Sequence, residues 1–223
     1  MDNIYDVAII GSGPAGFSAS IYSSRYRLRS VVFGKMIGGT IADAHKVCNF
    51  PGVPGLTGLE LGQRMYNHAK EEGGEFIFES VETLKKEGNV FRLITDTKKE
   101  YLAKSIILAT GTKRNKLHIP NEDTYLGKGV SYCATCDAMF YKDKVVAVVG
   151  GSNAATMAAT MLADVAKQVY IIYRGKELRG EPAWIEDVKS KGNITILFET
   201  LVTELQGNDV LERIKLNKKI NDS

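Results

Sequence analysis

Two cysteines separated by two residues are the part of this sequence best suited to chemistry. They stand in the run Cys133-Ala134-Thr135-Cys136-Asp137. Two thiols at this spacing can open and close a disulfide with little movement of the main chain. A cysteine at a helix start has its thiolate favoured by unpaired backbone N–H groups, and Asp137 is placed to exchange protons with the leaving sulfur. The pattern predicts a dithiol that carries electrons, with Cys133, Cys136 and Asp137 as its catalytic residues.

The other uses of such a pair are half of a zinc site and a purely structural pair. Zinc needs four ligands. Beyond the pair, the sequence offers only Cys48, His45, His68 and His118, and none of them forms a second paired spacing. We therefore expect no metal. A total of three cysteines also does not make the disulfide framework of a secreted protein, so a redox-active pair in a reducing cytosol is the better interpretation.

Composition narrows the class of protein. The chain has 223 residues, of which 44% are hydrophobic and 25% charged, and its formal net charge is +3. That charge is too small to indicate a nucleic-acid partner. No stretch approaches the ~20 apolar residues of a membrane span, and the start of the chain lacks the basic region of an export signal. We expect no nucleic acid, no membrane and a cytoplasmic location.

A glycine turn follows the first apolar run of the sequence. Val7 to Ile10 predicts a buried strand, and Pro14 suits the first turn of a helix. In between, Gly11 permits the tight turn, Gly13 lets the main chain approach a pyrophosphate, and Gly16 lets the helix pack on the strand. A plain loop is the alternative interpretation. The predicted contacts of this nucleotide site are Gly11, Ser12, Gly13, Pro14, Ala15 and Gly16.

A second strand, turn and helix begin at Val145. Its turn departs from the pattern, because Ser152 stands where the second glycine belongs and crowds the path of a pyrophosphate. A nucleotide fold without a nucleotide is therefore the alternative. The next predicted strand, 169–173, is followed by Arg174 rather than a carboxylate, which favours NADP over NAD, although solvated surface arginines would look the same. The predicted contacts here are Gly150, Gly151, Ser152, Asn153, Ala154, Arg174 and Arg179.

The segments between the motifs indicate the organisation of the chain. Helical periodicity covers 57–72, and 75–95 predicts three short strands around Gly88-Asn89. A further strand, 105–109, ends at another glycine, and the polar run 113–122 carries Pro120 and predicts an inter-domain boundary.

Several motifs together resemble one family, the low-molecular-weight thioredoxin reductases of the two-dinucleotide-fold flavoprotein group. The matching runs are Gly11 to Gly16, Gly38-Gly39, Asn49-Phe50-Pro51-Gly52, Ala109-Thr110-Gly111 and Gly129 to Asp137. The resemblance implies an α/β fold with two Rossmann-like three-layer nucleotide-binding domains. It divides the chain into an FAD-binding part, 1–114, and an NAD(P)H-binding part, 115–223, that carries the dithiol. It adds to the flavin site Gly38, Gly39, Thr40, Asn49, Ala109, Thr110 and Gly111.

The resemblance also implies a reaction. Electrons pass from NADPH through FAD and the Cys133/Cys136 pair to a thioredoxin-like protein, and the expected assembly is a homodimer. A hinge within 113–126 would let one dithiol face flavin and partner in turn. Two alternatives stay open. One is a non-nicotinamide donor such as ferredoxin, or a peroxiredoxin partner; the other is a non-catalytic nucleotide-binding module.

The sequence departs from the family pattern at several positions. Cys48 replaces a glutamate and Thr40 a glutamine, and we expect Cys48 to be a small buried hydrophobe. The second turn departs from the family pattern at Ser152, Asn153 and Ala154. Where the family has a cluster of three basic residues, this sequence has Tyr173-Arg174-Gly175. Nothing after Val210 matches the segment with which the family returns to its flavin domain, and 218–223 is a polar tail. These features predict a C-terminally truncated family member with an open sheet edge that holds FAD weakly.

Overall fold

The structure, a computed structural model, describes residues 4–218. These residues form two compact units, of which the first ends at Lys113 and the second begins at Arg114. The predicted polar tail lies almost wholly outside the described residues.

The first unit is built on one mixed sheet. In space its strands follow the order β3-β2-β1-β6-β5-β4. Pairing is parallel from β3 to β6 and antiparallel among β6, β5 and β4. The elements in chain order are β1 (Ile4–Ile10), α1 (Pro14–Arg25), β2 (Ser30–Phe33), α2 (Gly58–Glu71), β3 (Glu75–Ile77), β4 (Val81–Glu87), β5 (Val90–Thr95) and β6 (Glu100–Leu108).

Local sequence accounts for these elements. Pro14 occupies the first turn of α1, where its missing N–H costs nothing. Thr57 caps α2: its hydroxyl accepts from the Glu60 N–H at 3.2 Å, and the Glu60 carboxylate accepts from the Thr57 N–H at 2.9 Å. The predicted helix over 57–72 and the three strands within 75–95 are confirmed. The strand predicted over 105–109 begins earlier, because β6 pairs with β5 through residues 100–103 as well as with β1.

The core of the first unit lies on both faces of the sheet. Ile9 and Val32 are buried on the face that α1 covers, whereas Val31 belongs to a separate buried cluster. Phe17 on α1 is buried as well. Phe17 also makes an edge-to-face contact with Phe76 on β3. Burial of this apolar surface fixes the position at which β1 ends and α1 begins.

The second unit consists of a parallel sheet in the order β7-β8-β9 and a separate antiparallel hairpin. Its elements are α3 (Ala134–Asp137), β7 (Val145–Val149), α4 (Asn153–Ala163), β8 (Gln168–Ile172), α5 (Pro182–Ser190), β9 (Ile194–Leu197), β10 (Thr200–Gly207) and β11 (Leu211–Lys218). Strand β8 ends one residue before the predicted Tyr173. Each unit thus repeats strand, glycine turn, helix and parallel strand, and the predicted α/β class with two Rossmann-like units is confirmed.

Among residues 4–218, no helix combines the length and the apolar character that a membrane crossing requires.

Candidate functional site

The turn after β1 is tightly packed at two of its three glycines. Gly11 has φ +125°, which L side chains rarely adopt, and a Cβ there would overlap the carbonyl oxygen of Ala109. A Cβ on Gly16 would overlap the carbonyl oxygen of Gly11. Contacts within the protein therefore require glycine at both positions.

Gly13 is different. A Cβ built on it would meet only the carbonyl oxygen of Gly38, at an ordinary 3.6 Å. The N–H groups of Ala15 and Gly16, in the first turn of α1, have no hydrogen-bond partner within the described residues. Open space beside Gly13 and free helix N–H groups fit a pyrophosphate that approaches the main chain closely.

A second glycine pair packs against this turn. The Gly38 N–H donates to the Ser12 carbonyl at 2.9 Å, and the Ser12 hydroxyl donates to the Met36 carbonyl at 2.7 Å. The structure therefore brings together the predicted residues 11–16, 38–39 and Ala109. Thr110 also reaches the turn, because its backbone nitrogen would lie 3.2 Å from a Cβ built on Gly11. The other predicted flavin contacts are exposed residues for which no contact to the turn is described: Thr40, Asn49 and Gly111.

The second glycine turn, after β7, also opens a helix. Gly150 has φ +143°, and Ser152 is the exposed N-cap of α4 without a side-chain hydrogen bond. The Asn153 amide accepts the Glu181 N–H at 2.6 Å and donates to the Glu181 carboxylate at 3.0 Å. The N–H groups of Asn153 and Ala154 have no partner within residues 4–218. This helix start retains the donors that a phosphate would use.

Two basic side chains follow β8. Arg174 and Arg179 are exposed, and neither forms an ion pair with another described residue. The Arg179 N–H donates to the Gly151 carbonyl at 2.6 Å, which fixes this loop beside the glycine turn. Two guanidinium groups without anionic partners suit an added phosphate group.

The two cysteines of the predicted dithiol form a disulfide, with their Cα atoms 5.3 Å apart. Cys133 is the N-cap of α3, and its sulfur accepts the Cys136 N–H at 3.2 Å. The Ser131 hydroxyl accepts the Cys133 N–H at 3.0 Å and so holds the entry to the helix. In the reduced protein the Cys136 N–H would stabilise a thiolate at Cys133.

Asp137 completes the predicted catalytic set. Its N–H donates to the Cys133 carbonyl at 3.2 Å, so it lies on the same short turn as the disulfide. Burial raises the pKa of Tyr141, and the charge of Asp137 raises it further. Asp137 is half-buried, directly after Cys136 in the chain.

A buried glutamate before the dithiol was missed by sequence reasoning. Glu122 is only 5% exposed, although it falls in a polar run, and accepts hydrogen bonds from the Leu117 N–H at 2.9 Å, the His118 N–H at 2.8 Å and the Tyr132 hydroxyl. Burial raises the pKa of Glu122, but these hydrogen bonds outweigh it and hold the pKa below its usual range. No local sequence signal separates this glutamate from a solvated one.

The same region is fastened to the hairpin of the second unit. The Tyr125 hydroxyl donates to the Gly207 carbonyl at 2.6 Å, and the Asn121 amide donates to the Leu205 carbonyl at 2.9 Å. A Cβ on Gly129 would lie 2.5 Å from the Leu211 Cβ. The predicted hinge segment is thus bound within the second unit from Leu117 onward.

The third cysteine does not have the predicted burial. Cys48 is an exposed free thiol, so its prediction as a small buried hydrophobe is wrong. It follows the buried Val47, whose main chain pairs with Leu56, and in this extended bridge the next side chain points away from the core.

Large apolar side chains stand immediately after the dithiol. Met139 is 70% exposed and Phe140 is 73% exposed. An exposed apolar pair beside reactive groups is typical of a surface that meets a partner.

Two nucleotide-type turns and a closed dithiol define the class of protein as a nucleotide-dependent disulfide oxidoreductase. The sequence matches the family "Pyridine nucleotide-disulphide oxidoreductase" over residues 5–222. It is 39% identical to a thioredoxin reductase of Mycoplasma pneumoniae over 221 residues, covering 99% of this chain and 70% of the relative. It is also 39% identical to a thioredoxin reductase of Streptomyces coelicolor over 220 residues, covering 97% of this chain and 68% of the relative.

Solved structures agree. Lactococcus lactis thioredoxin reductase superposes with a TM-score of 0.93 at 31% identity, covering 96% of this chain and 71% of that one. The T. acidophilum enzyme gives a TM-score of 0.92 at 32% identity, covering 100% of this chain and 73% of that one. The chain therefore belongs to the pyridine nucleotide-disulphide oxidoreductases, and within them to the thioredoxin reductases. The predicted enzyme class, thioredoxin-disulfide reductase with FAD and NADPH as cofactors, is confirmed.

Proposed function

We propose that this chain reduces the disulfide of a thioredoxin-like protein through Cys133 and Cys136, with electrons that NADPH delivers by way of FAD. The observation that carries the proposal is the closed Cys133–Cys136 disulfide at the start of a short helix, with an N–H aimed at the Cys133 sulfur. Within the described residues this pair has the geometry that thiol–disulfide exchange needs.

The flavin site is proposed at the first glycine turn, in the part of the chain that ends near Lys113. FAD, when bound, supplies two-electron transfer between a nicotinamide and a disulfide. Gly13 and the N–H groups of Ala15 and Gly16 would hold its pyrophosphate, because they are open and without partners. The remaining proposed contacts are Gly11, Ser12, Pro14, Gly38, Gly39, Thr40, Asn49, Ala109, Thr110 and Gly111.

The nicotinamide nucleotide is proposed at the second glycine turn. The free N–H groups of Asn153 and Ala154 would receive the pyrophosphate. Arg174 and Arg179 would bind the extra phosphate that distinguishes NADPH from NADH. The proposed contacts also include Gly150, Gly151 and Ser152.

The exchange with the protein substrate takes two steps. A thiolate of the reduced pair attacks one sulfur of the partner disulfide, forms a mixed disulfide and releases the partner's other sulfur as a thiolate. The second cysteine then attacks the first, which closes the Cys133–Cys136 disulfide and releases the partner as a dithiol. Asp137 is placed to pass a proton to or from a sulfur of the pair.

The two sulfurs differ in ways that bear on which one attacks. The Cys136 N–H favours a thiolate at Cys133, whereas Cys136 is the more exposed residue. Thiolate stability and access both contribute to the rate of exchange. Comparison of the two single variants therefore identifies the attacking sulfur.

The substrate surface is proposed to include Met139 and Phe140. Both are exposed and lie within four residues of Cys136. Apolar side chains at this distance would bury against a protein substrate and hold its disulfide near the dithiol. A homodimer and a cytoplasmic location complete the proposal, and gel filtration with light scattering tests the first of them.

The reaction is tested by trapping. The chain is reduced with dithiothreitol, freed of reductant and mixed with thioredoxin activated as a mixed disulfide with thionitrobenzoate. Because Cys48 is itself an exposed thiol, the trapping variants are made in a Cys48→Ser background. Release of thionitrobenzoate and a covalent adduct are expected there for Cys133→Ser or Cys136→Ser, whichever keeps the attacking sulfur, and the variant that lacks all three cysteines should form none. Cys48→Ser with the pair intact is the matched control and should react normally. Absence of an adduct through either cysteine of the pair in this background would overturn the proposal.

A further inference from the structure

An aromatic ring covers the second glycine turn. A Cβ built on Gly151 would lie 2.5 Å from the nearest ring carbon of Tyr173, and a Cβ built on Gly175 would lie 2.6 Å from the same ring. Neither glycine has a positive φ. The backbone at both positions thus accepts any residue, and the Tyr173 ring is what leaves room for hydrogen alone.

In the first unit the corresponding contact also pairs a glycine with a larger residue, but the two have exchanged places. Its turn carries Ser12 where the second turn carries Gly151, and the first residue after its second strand is Gly34 where the second unit has Tyr173. A Cβ on Gly34 would overlap the Ser12 side chain. One glycine per contact is therefore a packing requirement. In the second unit the larger residue of the contact is Tyr173, which lies outside the turn and whose ring also reaches Gly175.

Packing alone holds the ring in this position. The Tyr173 hydroxyl has no hydrogen-bond partner among residues 4–218, and Tyr173 is only half-buried. Its main chain, by contrast, is fixed on both sides, because the Tyr173 N–H donates to the Leu197 carbonyl at 3.0 Å and the Thr200 N–H donates to the Tyr173 carbonyl at 3.1 Å. The side chain can therefore rotate away while the strand end stays in place.

The position of the ring bears directly on a nucleotide. Gly151 lies between the strand and the free N–H groups of α4, and Arg174 directly follows Tyr173. An adenosine phosphate that used those N–H groups and that guanidinium would meet the ring between them. In the first unit the residue that corresponds to Tyr173 is Gly34, which has no side chain, so no ring from that strand end covers the turn.

We propose that Tyr173 is a gate of the nicotinamide site: its ring closes the turn at Gly151 and must swing out before the adenosine phosphate of the dinucleotide binds. This inference rests on the proposed nicotinamide site. The closed population lowers the apparent affinity, because only the open fraction of molecules is competent to bind.

The gate is tested by calorimetric titration of NADPH and of NADH into the oxidised full chain. Tyr173→Ala removes the ring, and Gly175→Ala displaces it with one methyl group. Both variants are expected to bind NADPH at least about tenfold more tightly than the native chain, as a gate open in a tenth of molecules would predict. Tyr173→Phe is the matched control, since it keeps the ring and should bind as the native chain does.

Each other outcome overturns the gate. Weaker binding by Tyr173→Ala would make the ring a supporting surface for the nucleotide, and unchanged binding would leave it without a role. If one variant unfolds, which circular dichroism would report, the other still decides. Absence of nucleotide binding in every folded variant would also contradict the gate and favour another electron donor. The titration needs no thiol chemistry, and the thioredoxin trap needs no nucleotide. The gate can therefore fail while the proposed thiol–disulfide exchange holds, and the reverse is also possible.

Discussion

The hydroxyl of Tyr132 donates a hydrogen bond to the buried carboxylate of Glu122, ten residues earlier in the chain. Tyr132 is the residue directly before Cys133, so this bond ties the dithiol turn to the segment that begins the second unit. The same carboxylate accepts the N–H groups of Leu117 and His118. Glu122 therefore organises the approach to the reactive pair from both sides.

Glu122→Gln should lower the free energy of unfolding by about 1–3 kcal/mol, because a neutral amide leaves buried donors poorly satisfied. Thermal or urea unfolding monitored by circular dichroism measures this. Tyr132→Phe should cost less, since it removes one donor and leaves the two backbone bonds. Equal stability of native chain and Glu122→Gln would contradict the role assigned to the carboxylate.

The stability of the second unit should also depend on acid through Glu122. Its pKa is lower in the folded than in the unfolded chain, so the stabilisation is present above about 4.3, the ordinary glutamate value, and is lost as the pH falls through the folded value. Unfolding free energies measured from pH 6 downward should fall less steeply for Glu122→Gln. Parallel curves for the two proteins would argue against this linkage.

Thiol counts should follow the state of the three cysteines. The oxidised native chain should react with a thiol reagent at one site, Cys48, because it is the exposed free thiol. After reduction all three of the cysteines in the sequence should react. Cys48→Ser is the control, and it should show no reactive thiol before reduction and two reactive thiols after it. A Cys48 that stays unreactive in the folded protein would restore the buried interpretation.

Alanine substitutions at two glycines of the first turn should show which glycine is needed for folding and which for flavin binding. Gly13→Ala should keep or slightly raise the unfolding free energy, by up to about 1 kcal/mol, since its φ of −95° suits alanine. It should weaken FAD binding about tenfold or more, equivalent to ~1.4 kcal/mol, by filling the proposed ligand space. FAD titration followed by flavin fluorescence measures the affinity.

Gly16→Ala is the matched comparison for that experiment. Its added Cβ would overlap the Gly11 carbonyl oxygen, so we expect a loss of about 1–3 kcal/mol in unfolding free energy. A Gly13→Ala variant as unstable as Gly16→Ala would show that Gly13 serves packing and not a ligand.

The exposed pair after the dithiol should govern the encounter with the substrate. Met139→Ser with Phe140→Ser should raise the half-saturating concentration of activated thioredoxin about tenfold, as loss of an interface anchor costs ~1–2 kcal/mol. The maximal rate should change little. Ellman's reagent, a small disulfide, is the control, and its rate of reaction should not change. If the rates with activated thioredoxin and with Ellman's reagent both fall, these side chains support the structure of the dithiol turn and do not specifically bind the substrate.

The sequence by itself determined the features that depend on a few consecutive residues. The dithiol spacing, the first glycine turn and the helix over 57–72 were readable because backbone conformation and short-range bonding decide them locally. The alternation of strand and helix likewise followed from hydrophobic period, and the family motifs added the reaction class.

Only the tertiary structure decided which of several similar residues are buried. Glu122 is buried although it stands in a polar run, and Cys48 is exposed although it was predicted to be buried. Burial depends on segments distant in the chain. The contact of Tyr173 with Gly151 joins residues from two strand ends, and no local pattern encodes it. Close packing between distant segments sets such contacts, and a one-dimensional pattern carries no record of which surfaces will meet.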